Sequence, residues 1–438
     1  MHGMRIALVD APSDGRNLIY KDWAGGYGTT FSVGKSRRAR FLERAKKTGV
    51  KLPLTRFGYL AAIFRRSGHE VVICEDKLPD SADLILLHSS IVDVHAELAL
   101  ADRLRGKQDA KIGFVGPFSA VMPDVYLAHA DFVVRGEPED FACRLGDLSD
   151  LSGVINSEPI DDLDSLPFPD WSIFPRERYS YYPNIKARPF LPILSSRGCP
   201  YKCNYCAYRA TYKWRARSVE STVDEIERNV RDYGTRGLLF RDPLFTWAKE
   251  RPQRIAEEML RRNLDVCWGC ETHLGHLDKG LLDLLYRAGL RSVNVGIEAA
   301  NPKTLAGTGR ELHVADTQFE LVKHCDRLGI RVTAFYLLGL PNSTVEDMRE
   351  TVRYARKLNT HVASFNILTP YPGTEFYEKV KEQVFEADWS KFTSYTPVMR
   401  HKHVSPQELE RLKEEAFVRF YFRPAYILKF VQRMLLWK

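Results

Sequence analysis

The sequence predicts two α/β units in tandem: a doubly wound, flavodoxin-like (Rossmann-like) domain, then a partial (β/α)6 barrel followed by a helical C-terminal segment. Three observations carry this. Short apolar runs alternate with helical stretches from Met4 onward, the pattern of a parallel sheet covered by helices. The alternation breaks once, in a stretch rich in Pro and aromatic residues. The 438 residues also exceed what one hydrophobic core serves, since single cores stop growing at roughly 250–300 residues.

In the first unit the runs are Arg5–Val9, His69–Cys74, Asp83–His88, Lys111–Val115 and Asp131–Val134. Gly68, Gly113, Gly116 and Gly136 lie at their ends or within them, where βα units carry glycine. A domain over residues 1–150 follows, with any ligand expected at the carboxyl ends of its strands. Residues 151–188 read as a linker, because the prolines of Leu166-Pro-Phe-Pro-Asp-Trp171 forbid a regular element and its rings must do the packing.

From Phe190 the alternation restarts, giving a barrel over residues 189–375. Its strands are expected at Phe190–Ser195, Gly237–Phe240, Val266–Cys270, Ser292–Ile297, Val332–Leu338 and Val362–Leu368. Helices are expected at about Val219–Tyr233, Arg251–Arg262, Lys279–Ala288, Asp316–Leu328 and Val345–Lys357. Chemistry in such a barrel sits at the strands' carboxyl ends. Residues 376–438 form the helical extension, with Ser405-Pro-Gln-Glu408 as a capping arrangement. The mixed aromatic and basic end from Phe420 is expected to pack on the barrel, with a peripheral membrane helix as the alternative.

Composition narrows the function classes. With 44% hydrophobic and 27% charged residues the chain is an ordinary globular protein, and no apolar run approaches the roughly 18–20 residues of a spanning helix. Met1–Pro12 has no signal-peptide cleavage pattern, so a cytoplasmic location is expected. The net charge of +8 is scattered along the chain, which implies no nucleic-acid partner. Eight cysteines without a secretory signal read as metal ligands or buried thiols.

Spacing singles out three of them. Ser195-Ser-Arg-Gly-Cys199-Pro-Tyr-Lys-Cys203-Asn-Tyr-Cys206 follows the first barrel strand. Thiolates at Cys199, Cys203 and Cys206 can reach three irons of one cubane cluster, while Gly198 and Pro200 let the loop wrap. The fourth iron is left without a cysteine, open to an exogenous ligand. A structural zinc site is the competing reading, although no histidine lies near the triplet. Cys267 and Cys270 are spaced like a redox motif but fall within a strand, where residues three apart face opposite sides. Cys74, Cys143 and Cys325 read as buried structural thiols.

Cys-x3-Cys-x2-Cys with an aromatic residue before the last Cys resembles the hallmark of the radical S-adenosylmethionine (SAM) superfamily. The chain further resembles the branch that joins a cobalamin-binding-type domain to the barrel. It does so at Phe57-Gly-Tyr-Leu-Ala-Ala62, Arg135-Gly-Glu137, Leu166–Trp171, Leu338-Gly-Leu-Pro341 and Thr369-Pro-Tyr-Pro-Gly-Thr374. The resemblance implies a 4Fe-4S cluster, SAM and cobalamin as cofactors, and a flavodoxin- or ferredoxin-type reductant as partner.

It also implies roles for single residues. Tyr205 would offer its backbone to adenine, and Gly296-Ile-Glu298 would hold the ribose and methionine end of SAM. Asp242 would order either the methionine moiety or the cluster loop. Glu298 as a helix cap and Asp242 as a turn residue before Pro243 are the plainer readings. Where many members of the resembled family carry Arg after the third barrel strand, this chain has Thr272-His273, so no carboxylate-pairing role is carried over to that position.

For cobalamin the candidate contacts are Ser89, Ser90, Gly116, Phe118, Gly136 and Glu137, each equally explained by tight βα turns. No Asp-x-His-x-x-Gly follows the first strand, and Asp93-Val-His95 imitates it in the wrong place. Ala24-Gly-Gly-Tyr-Gly-Thr29 is glycine-rich without a dinucleotide fingerprint's spacing.

The expected function is cobalamin-dependent methyl transfer to an unactivated carbon after hydrogen abstraction. The alternative is radical cyclisation, rearrangement or coupling, with cobalamin used differently or absent. A methylthiotransferase would need a second cluster, for which Cys74 and Cys143 are too few. An electron carrier or a cobalamin sensor would make no 5′-deoxyadenosine. A protein side chain, peptide, lipid or small molecule remains open as substrate. Trp171, Tyr179, Tyr181, Tyr182, Tyr395 and Tyr421 either line an entrance or pack.

Overall fold

A computed structural model describes residues 3–12, 20–46, 49–75, 77–107, 109–208, 213–310 and 315–435. The first sheet is built from β1 (Arg5–Val9), β2 (Glu70–Cys74), β3 (Leu84–His88), β4 (Lys111–Val115), β5 (Phe132–Arg135) and β6 (Gly153–Asn156). All pairings are parallel, in the order β2-β1-β3-β4-β5-β6. The apolar runs form strands here because every residue of the central β3 is buried on both faces.

The sheet runs past residue 150. Gly153–Asn156 adds a parallel edge strand to β5, inside the stretch read as linker. Its signal is only Val154-Ile155, too short for a period to register. The rest of that stretch packs by its rings as expected, with Trp171 and Tyr179 fully buried. Gly58 makes room for Trp171, since a Cβ there would lie 2.8 Å from the indole.

The second sheet holds β7 (Phe190–Ile193), β8 (Gly237–Phe240), β9 (Cys267–Thr272), β10 (Leu290–Glu298), β11 (Arg331–Leu338) and β12 (Val362–Ile367). They pair in parallel and in sequence order, an open barrel of six strands. Intervening helices begin where the caps dictate. Ser218 accepts from the Ser221 N–H at 3.0 Å to start Val219–Tyr233, and Thr344 with Asp347 forms a reciprocal capping box before Val345–Leu358.

An open barrel leaves β12 with an unpaired edge. The helix Pro406–Tyr421 covers it: Tyr421 Oη donates to the Ala363 carbonyl at 2.8 Å and accepts from the Ala363 N–H at 3.0 Å. Ser405 Oγ caps this helix by accepting from the Glu408 N–H at 3.2 Å. The following helix, Pro424–Leu435, is tethered through Tyr426 Oη to the His361 carbonyl at 2.7 Å. No described helix is long and apolar enough to cross a membrane.

Lys413 of the covering helix is 4% exposed and donates to the Tyr395 carbonyl at 2.6 Å. Burial pulls its ammonium down to about 8 from 10.5. Below pH 8 the fold carries a desolvated charge that the unfolded chain solvates, and between 8 and 10.5 the folded chain sheds that proton first. Wild-type stability should therefore rise across this window relative to Lys413→Met, by on the order of 3 kcal/mol. Denaturant melts of both proteins at the two ends of the window check this, and a flat difference would contradict it.

Candidate functional site

The cysteine loop is held at both ends. Before it, Ser196–Arg197 pairs antiparallel with Arg215–Ala216. Asp242, fully buried after β8, accepts from the Ser195 N–H at 2.8 Å and from Ser195 Oγ and Ser196 Oγ at 2.6 Å each. Arg251 adds bonds to Ser195 Oγ at 3.0 Å and to its carbonyl at 2.8 Å. Within the loop, the Asn204 N–H donates to the Thr308 carbonyl at 2.9 Å, and Asn204 Nδ2 to the Gly307 carbonyl at 2.9 Å. Gly309, at φ +73, lets the two loops meet, because a Cβ there would lie 2.1 Å from the Lys202 carbonyl oxygen.

Cys199, Cys203 and Cys206 open onto one cavity of about 810 Å³. Burial and the two neighbouring thiols push the Cys206 thiol up to about 12. Among the described residues, no three His, Cys, Asp or Glu side chains close on a single ion. A cubane cluster asks only that three thiolates face one space, each meeting its own iron, and these do. The cavity holds no other cysteine among its described lining.

Gly296 and Glu298 sit on the same wall, where β10 slips register against β11. Glu298 takes φ +67, turning its carboxylate back toward Gly296, whose missing Cβ would fall 2.4 Å from Glu298 Oε1. Arg310 completes the wall, 3.4 Å from Glu298 and donating to the Gly296 carbonyl at 2.6 Å. A carboxylate, a guanidinium and a bent strand end beside the thiols fit a zwitterionic amino acid and a ribose, so the residues present fit SAM. Tyr205 packs between the thiols and the apolar group around Leu305 and Leu340.

Asp242 calls for a correction. Its carboxylate is spent on Ser195 and Ser196 and is absent from the cavity wall, so it positions the cluster loop rather than touching SAM. Asp242→Asn, which keeps the size and loses acceptor capacity, is expected to lower cluster content and turnover about 10–100-fold. Iron per chain after anaerobic reconstitution checks this, and unchanged iron would remove Asp242 from that role.

Two basic residues escaped the sequence reading. Arg310 lies in the loop after β10, and Arg241, 4% exposed after β8, pairs with Glu271 and donates to the Asp22 carbonyl at 2.5 Å. They supply the cations that Thr272-His273 does not: Thr272 bonds Thr246, and His273 Nδ1 accepts from the Gly275 N–H at 3.2 Å. Arg241 stands next to Asp242, but nothing in Phe240-Arg-Asp marked its direction.

The proposed cobalamin contacts are engaged elsewhere. Ser89 Oγ donates to Ser119 Oγ at 2.8 Å, and Ser90 Oγ to Glu97 at 2.7 Å. Phe118 is fully buried. Gly116 and Gly136 serve close approaches, with a Cβ at 2.4 Å from Ser89 Oγ and 2.0 Å from the Ser157 carbonyl oxygen respectively. Glu137 turns toward the barrel, paired with Arg197 at 3.1 Å and with Arg215.

Segment 20–31 stands over the strand ends. Lys21 Nζ reaches Asp10 at 2.7 Å after β1 and Asp93 at 2.8 Å after β3. Tyr27 accepts at its carbonyl from the Ile91 N–H at 2.8 Å. A Cβ on Gly26 would meet Pro117 at 2.7 Å, and one on Gly25 would meet Tyr208 N of the cysteine loop at 2.8 Å. In this arrangement segment 20–31 lies over the strand ends where these six positions sit. Asp93 and His95 are likewise occupied, His95 by Asp388 at 2.7 Å.

Cys267 and Cys270 do face opposite sides, in different apolar clusters. Cys74 and Cys325 are buried, but Cys143 is exposed at the end of Pro138–Cys143, contrary to expectation, because that helix ends at the surface. Of the six aromatic residues, Tyr181, Tyr182, Tyr395 and Tyr421 line the cavity, whereas Trp171 and Tyr179 pack.

Residues 193–355 match the model of the radical SAM superfamily. The chain is 26% identical over 376 residues to the uncharacterized methyltransferase PH0819 of Pyrococcus horikoshii, covering 80% of each. It is 32% identical over 321 residues to the anaerobic magnesium-protoporphyrin IX monomethyl ester cyclase of Cereibacter sphaeroides, covering 67% of this chain and 52% of that one. The chain thus spans about half of the cyclase's length. The methyltransferase TsrM of Kitasatospora setae, solved with cobalamin and a [4Fe-4S] cluster bound, superposes with TM-score 0.66 at 18% identity over 94% of this chain and 85% of that one. With its three cysteines on the loop after the first barrel strand, the chain is a radical SAM enzyme of the branch that sets a Rossmann-like domain before the barrel.

Proposed function

We propose that the chain is a cobalamin-dependent radical SAM methyltransferase acting on an unactivated carbon. The observation that carries the radical half is the convergence of three thiols, Glu298 and Arg310 on one cavity. A 4Fe-4S cluster held there supplies, with SAM, a 5′-deoxyadenosyl radical, and cobalamin supplies the methyl group when bound. Glu298 and Arg310 orient the amino-acid end of SAM against the cluster loop. Phe335, Tyr181 and Tyr395 give the substrate space an aromatic wall that keeps water from a carbon radical.

The methyl half draws support from the methyltransferase likeness along 80% of the chain. Likeness to the cyclase supports a second reading, non-methylating ring closure, rearrangement or coupling, with cobalamin used differently or absent. A flavodoxin- or ferredoxin-type protein delivers the electron in either case.

Anaerobic reconstitution with iron, sulfide and hydroxocobalamin, followed by an ultraviolet-visible spectrum and product mass, separates the two. Bound corrin and one added methyl group are expected. A cluster without corrin, and a product short of hydrogen but not gaining a methyl, would overturn the methyl half alone.

A further inference from the structure

The cavity does not end at the cysteines. Its far wall is Phe41, Leu42 and Ala45 of the helix Arg37–Lys46, together with Phe422, Tyr426, Ile427 and Phe430 around the last helix. Bulky apolar side chains stand in solvent here: Phe41 at 62% and Ile427 at 49% exposed within the wall, and Leu428 at 61% and Val431 at 47% exposed outside it. The Phe41 ring meets Phe422, in the turn that leads into the last helix, at 6.2 Å between centroids, and Phe41, Phe422, Tyr426, Ile427 and Phe430 share the cavity wall, so the apolar side chains lie side by side.

The first of these helices gives this apolar surface a mainly basic border, with Glu414 and Glu415 of the neighbouring helix beside Arg37 and Arg38. Residues 35–47 carry seven Lys or Arg and a single acidic residue, Glu43. Lys35, Arg37, Arg38, Arg40 and Arg44 are exposed, while Glu43 is turned inward, accepting from the Val33 N–H at 2.6 Å. A basic helix with an outward Phe, next to an apolar helix face, is the composition that lies in the boundary layer of an anionic bilayer. A protein partner would be expected to cover the apolar side chains without needing five exposed cations.

We propose that the face formed by Arg37–Lys46 and Pro424–Leu435 docks on an anionic lipid surface, and that the cavity takes a lipid-soluble substrate through it toward the cysteine loop. The substrate half rests on the radical reading above; the docking half does not. A bilayer at this face lets an apolar molecule pass from lipid into an apolar cavity without crossing water.

The test uses the full chain, reconstituted with its cluster, sedimented with vesicles of phosphatidylcholine alone or with phosphatidylglycerol. Binding to the phosphatidylglycerol vesicles is expected, weakening as salt rises. Arg37→Glu/Arg40→Glu should weaken it by about tenfold or more, and Leu428→Asp/Val431→Asp, whose side chains lie outside the cavity wall, should abolish it. Both variants should still form 5′-deoxyadenosine from SAM and dithionite at the wild-type rate, which separates failed docking from failed radical chemistry. Absence of binding to phosphatidylglycerol vesicles, or equal binding by wild type and both variants, would overturn the proposal. So would a wild-type dimer that Leu428→Asp/Val431→Asp converts to monomer, since a second copy would then be the occupant.

Discussion

Replacing Cys203 by alanine should lower 5′-deoxyadenosine formation by more than the roughly 100-fold that losing an outer partner of a metal ligand costs, with iron content falling in parallel. Cys203 is buried, packed with Tyr201 and Leu244 and against the Gly309 carbonyl. No other cysteine lines the cavity among the described residues, so none can substitute. Cys143→Ala is the control: this exposed thiol on the first domain should leave iron and turnover unchanged. If Cys203→Ala kept both, the cluster would have to sit elsewhere.

Arg197→Ala should destabilise the fold by about 3–5 kcal/mol, because removing one partner of a buried ion pair strands the charge left behind. Arg197 bridges Glu137 at 3.1 Å and Glu139 at 2.8 Å, and all three are nearly inaccessible. This joins the first domain to the barrel two residues before Cys199, so cluster retention should fall with stability. Arg197→Met/Glu137→Gln/Glu139→Gln should recover most of the loss, since neutral groups carry little desolvation cost. Denaturant midpoints measure both, and a wild-type midpoint for Arg197→Ala would contradict the account.

Much of this was legible in the residue order, and what was hidden has a common cause. Strands β1–β5 and β7–β12 announced themselves because each carries a short, mostly buried apolar stretch between helical segments. The thiols were legible because a cluster ligand set needs close spacing on one loop, whereas Glu298 was assigned by resemblance alone. Periodicity reports burial, however, and not where a loop side chain points. Asp242 turned out to bond residues 46 and 47 positions away, and Glu137 residues 60 and 78 positions away.

The covering of the first domain was hidden for the same reason. Ala24-Gly-Gly-Tyr-Gly-Thr29 has no period of its own, and its glycines are required by backbone and side chains from both domains that meet only in the fold. Resemblance assigned Ser89, Ser90 and Gly116 to a corrin, yet their hydrogen bonds and contacts close within the domain itself. The edge strand β6 was missed because two apolar residues cannot establish an alternation.

The most direct test of the central claim is to freeze the reduced protein with SAM labelled in its amino nitrogen or carboxylate oxygen and measure the coupling of the label to the cluster's electron spin. The account predicts a coupling strong enough to require both groups on an iron, abolished in Cys203→Ala. A reduced cluster present with SAM bound but uncoupled to either label would contradict it.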